Sequence, residues 1–362
     1  MANNRDSFSI PVHNYQHGVN DIAPALTVLD ICTGAGGEAL GLEMAGFNNA
    51  AAIEIDARAC QTLRLNRPTW KVIESDIRSI NGNDFKGVDL LAGGVPCPPF
   101  TIAGKQLGSD DERDLFPEAL HLIEQVQPKA VMLENVPGFA SAKFAFYRND
   151  LLRKLYNLHY EVQWHVLNAS DYGVPQLRPR FVLVALREPY TNAFRWPMSG
   201  KVISTVNLAI GDLMASRGWY GVTHWYRKAN GIAPTLVGGS KKHGGPDLGP
   251  TRARKQWAEL GIDGLGIAND PPGEDFPVDG MPRLTLRMAA RIQAFPDTWQ
   301  FAGGKTAAYR QIGNAFPSLV AQAVGESIMM ALKQNIHEQY CHTRQGEYGS
   351  IAHECFVELN RA

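Results

Sequence analysis

Val88-Asp89-Leu90-Leu91-Ala92-Gly93-Gly94-Val95-Pro96-Cys97-Pro98-Pro99-Phe100 is the stretch on which the reading of this chain turns. Val88 to Ala92 is short, apolar and closed by glycine, the pattern of a strand buried on both faces of a parallel sheet. Pro96 and the Pro98-Pro99 pair lack a backbone N–H, so they can neither extend a ladder nor enter a helix interior. They fix Cys97 on a rigid turn at the strand end. The next buried run, Ala130-Val131-Met132-Leu133, leads into Glu134-Asn135-Val136. Open parallel sheets place ligands beyond the carboxyl ends of their strands. A nucleophilic sulfur and a carboxyl group would then face one pocket, the pairing that covalent catalysis on an aromatic base requires. Taken alone, a cysteine is more often a small buried hydrophobe, so the wider pattern decides.

Outward from that stretch, strand and helix patterns alternate. Residues 27–32, 50–55, 71–73, 161–167 and 181–186 read as strands, and 37–45, 57–66, 114–125 and 144–157 as helices. Such alternation predicts an α/β fold with a doubly wound parallel sheet, because parallel strands need crossover helices. After Pro189 the texture changes. Residues 195–282 are rich in Gly, Pro and Trp without a sustained period, and helical pattern returns at 285–294 and from 317 to about 334. Within that region, residues 217–255 carry eight Lys or Arg against one acidic residue, Asp247. The sign then flips: Glu259, Asp263, Asp270, Glu274, Asp275 and Asp279 occur with no basic residue among them, the pattern of a solvated loop facing away from a polyanion.

With 362 residues, 44% of them hydrophobic, the chain can bury a sizeable core and divide into two domains. A net charge of -1 provides no global basic field, so any affinity for nucleic acid must come from a local patch. Five cysteines, at 32, 60, 97, 341 and 355, form no paired framework, which suits a reducing cytoplasm. Residues 1–20 are polar and lack the apolar core of a signal peptide, and no run long enough to span a bilayer stands out. The expectation is a cytoplasmic enzyme with no membrane contact. Cys341, His342, His353 and Cys355 match no strong zinc spacing, so no metal is expected.

Asp30-Ile31-Cys32-Thr33-Gly34-Ala35-Gly36-Gly37 follows the first strand and opens a helix. Its glycines allow positive φ and close backbone approach to a ligand. The spacing is not that of a dinucleotide turn, because the third glycine comes too soon. Glu54, about 20 residues on, stands where a ribose diol is usually gripped. Asp76, at the end of the third strand, can accept a bond from an adenine amino group. Two carboxylates and a shortened turn suit an adenosine ligand without a diphosphate, and S-adenosylmethionine fits.

With these blocks in order, the chain closely resembles the DNA (cytosine-5) methyltransferases of the bacterial restriction-modification type. The resemblance covers about residues 26–325. Asp30 to Gly37 looks like the family's cofactor turn, Glu54 and Asp76 like its ribose and adenine contacts, and Pro96-Cys97 like its nucleophile loop. Glu134-Asn135-Val136 resembles the glutamate block, and Gln176-Leu177-Arg178-Pro179-Arg180 the Gln-x-Arg-x-Arg block. Arg283 to Arg287 with Gln293 to Asp297 looks like the block beside the recognition region, and Gln311-Ile312-Gly313-Asn314-Ala315 like the last cofactor block. There are departures. Cys32 and Ile55 stand where many members have aromatics flanking the adenine, Pro98 replaces a common glutamine, Met288 a glutamate and Phe316 a valine. None removes a group that performs the chemistry.

The resemblance implies a Rossmann-like, S-adenosylmethionine-dependent catalytic domain, residues 1–189 and 305–362, with a smaller target-recognition domain over 190–304. The cofactor would lie on Asp30, Cys32, Thr33, Gly34, Gly36, Gly37, Glu54, Ile55, Asp76, Ile77, Pro96, Asn314 and Ala315. The catalytic set would be Cys97, Glu134, Arg178 and Arg180. Cys97 would add to carbon 6 of a flipped cytosine, Glu134 would contact ring N3 and the exocyclic amine, Arg180 would reach O2, and Arg178 would support the loop or a phosphate. Thr101, Lys105 and Gln106 would meet DNA from the nucleophile loop. Thr235-Leu236 looks like the dipeptide that anchors the recognition region, where Arg227, Lys228, Lys241, Lys242, Arg252, Arg254 and Lys255 would meet mainly phosphates. The implied partner is double-stranded DNA, with a possible cognate restriction endonuclease encoded nearby and a monomeric enzyme. A tRNA cytosine methyltransferase is the competing enzyme reading, and the basic, glycine-rich insert favours duplex DNA. A non-catalytic regulator is disfavoured by the joint presence of Cys97, Glu134 and Arg180, and a dehydrogenase by the turn spacing.

Overall fold

The computed structural model describes residues 25–96, 114–200, 203–239 and 245–345, with side chains to residue 334. Short apolar strands, the central ones buried on both faces, organise the first half. The strands are β1 (Thr27–Ile31), β2 (Asn48–Glu54), β3 (Val72–Glu74), β4 (Leu90–Gly93), β5 (Ala130–Asn135), β6 (Tyr160–Asn168) and β8 (Pro179–Arg187). They form one sheet in the order β3-β2-β1-β4-β5-β8-β6. Pairings from β3 through β5 are parallel, and β8 runs antiparallel to both its neighbours. Because successive side chains point to opposite faces, Leu29, Ile31, Leu91, Val131 and Leu133 join one core cluster. Val28, Leu90, Ala92, Ala130 and Met132 join the other. The doubly wound, mostly parallel sheet is the fold class expected from the sequence.

Helices α1 (Gly37–Met44), α2 (Ala57–Asn66), α3 (Phe116–Val126) and α4 (Ala145–Asn157) connect these strands. Phe116, Ala119 and Leu122 of α3 and Leu151 and Leu155 of α4 cover one face. Leu42 of α1 and Val320, Ala321, Val324 and Ile328 of α10 (Ser318–Gln345) cover the other. Each such fully buried aliphatic side chain contributes about 1.5–3 kcal/mol. α1 and α10 touch through a glycine: a Cβ at Gly41 would lie 2.2 Å from the Ser318 carbonyl oxygen and 2.5 Å from the Ala321 Cβ. Residues 305–334 include an 18-residue window apolar enough by composition to cross a bilayer, and 67% of that window is buried within the fold.

Residues 195–282, which show no sustained period in sequence, contain α5 (Val206–Ala215), α6 (Val222–Lys228) and α7 (Thr251–Glu259). Short helices inside a Gly/Pro-rich region are diluted in any long composition window. A fourth helix the pattern reading did not mark, α9 (Lys305–Asn314), follows α8 (Leu286–Ile292), and a two-stranded ladder pairs β7 (Gln176–Leu177) with β9 (Ala233–Pro234). Trp219, Trp225 and Trp257 of this region share a core cluster with Met288 of α8, Tyr309 and Ile312 of α9, and Leu40 of α1. The acidic stretch is not merely solvated: Asp263 pairs with Arg283 at 2.7 Å and Asp270 with Arg217 at 3.6 Å.

Candidate active site

Strand order reverses between β1 and β4, and the crevice beyond their carboxyl ends is where an open α/β sheet receives ligands. A cavity of about 1170 Å³ opens there. The β1–α1 turn forms its floor. Cys32 has φ +53°, Gly34 +57° and Gly36 +87°, so the chain coils through three left-handed residues before α1 begins. The Thr33 hydroxyl donates to the carbonyls of Asp30 (3.0 Å) and Ile53 (3.3 Å), locking the turn to β2. Glu54 accepts from the Gly34 amide through Oε2 and from the Asp56 amide through Oε1, both at 2.7 Å. Desolvation holds its carboxyl above the usual range despite those bonds. Asp76 accepts from the Arg78 amide at 3.0 Å and pairs with its guanidinium at 2.9 Å.

Every residue named from sequence for the cofactor lines this cavity except Gly36. Gly36 instead faces the interior. A Cβ there would lie 2.7 Å from Leu63 Cδ2 and 2.9 Å from the Trp299 ring. It serves the turn and its packing.

Glu134 lies within β5 rather than after it, and its side chain lines the same cavity. Its Oε1 pairs with Arg180 Nε at 2.8 Å, both side chains being nearly buried. Burial raises the Glu134 carboxyl, while Arg180 and Arg178 pull the other way. A Cβ at Gly94 would sit 3.3 Å from Glu134 Oε2, so glycine keeps that oxygen clear. The Asn135 amide donates to the Val95 carbonyl at 2.9 Å, holding the segment that ends at Pro96 against β5. Pro96 and Leu115 both line the cavity, and the Leu115 amide donates to the Pro96 carbonyl at 3.3 Å. Cys97, Thr101, Lys105, Gln106, Lys241 and Lys242 lie outside the described residues.

Arg178, grouped with the catalytic residues by sequence, has a different place. It is fully buried, and its guanidinium donates to the carbonyls of Leu236 (2.7 Å), Gly313 (2.7 Å) and Ala315 (3.0 Å). Gln176 accepts from the Leu236 amide at 2.8 Å and donates to Gln293 Oε1 at 2.6 Å. A buried network thus joins β7 and the Leu236 backbone just after β9 to the carboxyl end of α9 at the cavity wall, and Arg178 is a brace within it. The Thr235 hydroxyl donates to the Leu177 carbonyl at 2.6 Å, so this side chain anchors backbone. Arg227 and Lys228 are exposed at the end of α6, Arg252 and Lys255 are exposed along α7, and Arg254 is half-buried.

Pattern reading passed over two residues. Glu38, in the first turn of α1, looks in sequence like an ordinary acidic helix start, yet it is 4% exposed and lines the cavity. Arg310, on α9, also lines it, with a buried Nε that has no hydrogen-bond partner.

A family model, C-5 cytosine-specific DNA methylase, matches residues 26–330. The chain belongs to that family. It is 54% identical over 314 residues to Type II methyltransferase M.NaeI of Lentzea aerocolonigenes, covering 85% of this chain and 76% of that one. It is 54% identical over 312 residues to Type II methyltransferase M.NgoMIV of Neisseria gonorrhoeae, covering 85% and 98%. Among solved structures, a mutant of Spodoptera frugiperda DNMT2 superposes with a TM-score of 0.61 at 20% identity, covering 84% of this chain and 100% of that one. Entamoeba histolytica methyltransferase EhMeth does so with 0.61 at 17%, covering 85% and 99%. These two share the fold. The chain is therefore a DNA (cytosine-5) methyltransferase of the bacterial restriction-modification type.

Proposed function

We propose that this enzyme transfers a methyl group from S-adenosylmethionine to carbon 5 of one cytosine in a specific double-stranded DNA sequence, through a transient Cys97 adduct on a flipped base. The observation that carries the reading is the sharing of one cavity by the adenosine-type contacts and by Glu134, Gly94 and Pro96. Strands lie ~4.8 Å apart, so Asp76 beyond β3 and Glu134 on β5 are separated by roughly 19 Å across the sheet edge. Adenine at Asp76 and Ile77, ribose at Glu54 and the amino-acid end over the β1–α1 turn fill that span in order. The unpartnered carboxyls of Asp30 and Glu38 suit a cationic ligand.

When bound, S-adenosylmethionine supplies an electrophilic methyl group. The base must leave the duplex to reach the cavity, at a cost of a few kcal/mol. The Cys97 thiolate attacks carbon 6, breaking the ring's aromaticity and making carbon 5 nucleophilic. Glu134, its carboxyl raised by burial, bonds ring N3 and the exocyclic amine and stabilises the charge that develops there. Arg180 keeps Glu134 in place and would serve O2. Once carbon 5 has taken the methyl group, loss of its proton to solvent expels the Cys97 thiolate and restores the ring. Residues 190–304 act as the recognition region, and their exposed cations hold phosphates. Bisulfite sequencing of DNA from cells expressing the enzyme tests the reading. One sequence context should become protected with the wild type and not with Cys97→Ser, and protection by that variant would refute the nucleophile.

A further inference from the structure

We propose that Arg310 clamps the DNA backbone from the cavity side, its guanidinium seating a phosphate of the target strand next to the flipped cytosine. The inference rests on the DNA reading above and deepens it. Arg310 is half-buried on α9, and its side chain lines the cavity. Its Nε is buried, and no hydrogen bond or ion pair engages the guanidinium among the described residues. Partial burial of an unpaired cation is costly, so the position calls for an anion.

The cavity wall does not supply one. Glu134 is held by Arg180, Asp76 by Arg78, and Glu54 by the amides of Gly34 and Asp56. Asp56 caps α2, and the carboxyl oxygens of Asp30 and Glu38 are buried. The place of Arg310 on its helix says where an anion would come from. Thr306, Arg310 and Asn314 recur every four residues, so they share one face of α9, and all three line the cavity. At the end of that face α9 crosses the backbone that follows Leu236. The Asn314 side-chain amide donates to the Gly239 carbonyl at 3.2 Å, and a Cβ on Gly238 would lie 2.6 Å from the Arg310 carbonyl oxygen. A Cβ on Gly313 would lie 2.5 Å from the Gly238 nitrogen, so backbone meets backbone there. Arg310 thus stands at the seam between the cavity and the recognition region. A strand that is read by one and gives its base to the other carries its phosphates across that seam. The planar guanidinium fork can bond two phosphate oxygens, and such a contact sets register without reading sequence.

Fluorescence anisotropy with a duplex carrying the methylated sequence found by bisulfite mapping tests the assignment. Arg310→Gln should weaken binding about 10-fold, the range of a lost charge-assisted bond, and lower the salt slope of log Kd by about one. Arg310→Lys should keep the slope. Neutral methylphosphonates placed one at a time on either side of the target cytosine identify the phosphate. One of them should weaken wild type by about the same factor and cost Arg310→Gln nothing more. S-adenosylhomocysteine affinity, by calorimetry, should stay within about threefold of wild type in both variants, and the thermal midpoint of unliganded Arg310→Gln should match or exceed wild type. A loss of S-adenosylhomocysteine affinity with duplex binding intact would give Arg310 to the carboxylate of the methyl donor and overturn the assignment. Additive losses at both flanking methylphosphonates, or a lowered midpoint with the salt slope unchanged, would overturn it too. Wild type failing to bind the duplex at any salt concentration would remove the DNA reading itself.

Discussion

The cavity beyond the sheet and the region of residues 190–304 carry opposite electrostatics by opposite means. Around the cavity the buried or nearly buried charges are carboxyls at strand ends and at the start of α1: Asp30, Glu38, Glu54, held by two backbone amides, and Glu134, paired with Arg180. Across 190–304 the cations lie on the outside, on short helices, above a core of tryptophans. Burial strengthens every interaction with a small cationic ligand, since the local dielectric is low. Exposure suits a polyanion that must bind, slide and leave, because its phosphate contacts are screened and reversible. On the proposed function, one protein would hold a cation tightly in its interior and a polyanion loosely at its surface. The buried Arg178 network is the physical joint between the two, running from the Leu236 backbone to Ala315 on the cavity wall.

The largest effect should come from Glu134→Gln. Removing a preorganised charge from the reacting ring typically lowers kcat about 10²- to 10³-fold, while S-adenosylhomocysteine affinity, measured by calorimetry, should change little. Equal losses in both would mean that Glu134 shapes the cavity rather than the transition state. Next is the joint. Arg178→Met leaves buried carbonyls unsatisfied and should lower unfolding stability by about 3–5 kcal/mol, read from the urea midpoint. An unchanged midpoint would show the two regions to be independent.

How much was legible follows from these same residues. Continuous apolar runs at β1, β4 and β5 and the glycine turn made the sheet and the cavity readable, because short apolar runs bounded by turn residues have few other solutions. The third-dimensional roles were not readable. Gly36 and Gly34 look alike in sequence, and only the approach of Trp299 separates a packing glycine from a ligand-facing one. Arg178, in the link between β7 and β8, is two residues from Arg180 on β8, and their opposite fates depend on which acceptors the distant α9 brings. Glu38 looked like a helix start because neither its burial nor its lack of partners is a local property. Residues 195–282 hid α5, α6 and α7 because their order depends on tryptophans packing on α8 and α9.

Smaller effects sharpen the contrast. Asp30 has a folded-state carboxyl raised above its unfolded value, so it is protonated in the fold and contributes a penalty that grows as pH rises from about 4 to about 7 and is flat above. Asp30→Asn should therefore flatten the pH dependence of the thermal midpoint in that window by a few degrees relative to wild type; an unchanged slope would contradict an uncompensated carboxyl. At the surface, Arg252→Ala and Lys255→Ala should each weaken duplex binding only several-fold and reduce the salt slope of log Kd by about one per phosphate contact. Cofactor affinity should stay as it was. A loss independent of salt would place those side chains somewhere other than on phosphates.

The central claim is that a sulfur at position 97 bonds the ring whose other edge Glu134 holds. A target duplex carrying 5-fluorocytosine tests it most directly, since fluorine at carbon 5 blocks the final elimination. With S-adenosylmethionine present, the account predicts a complex that survives denaturation, with peptide mass spectrometry assigning the nucleotide to Cys97. Methylated product without any such adduct, or an adduct on a different residue, would contradict it.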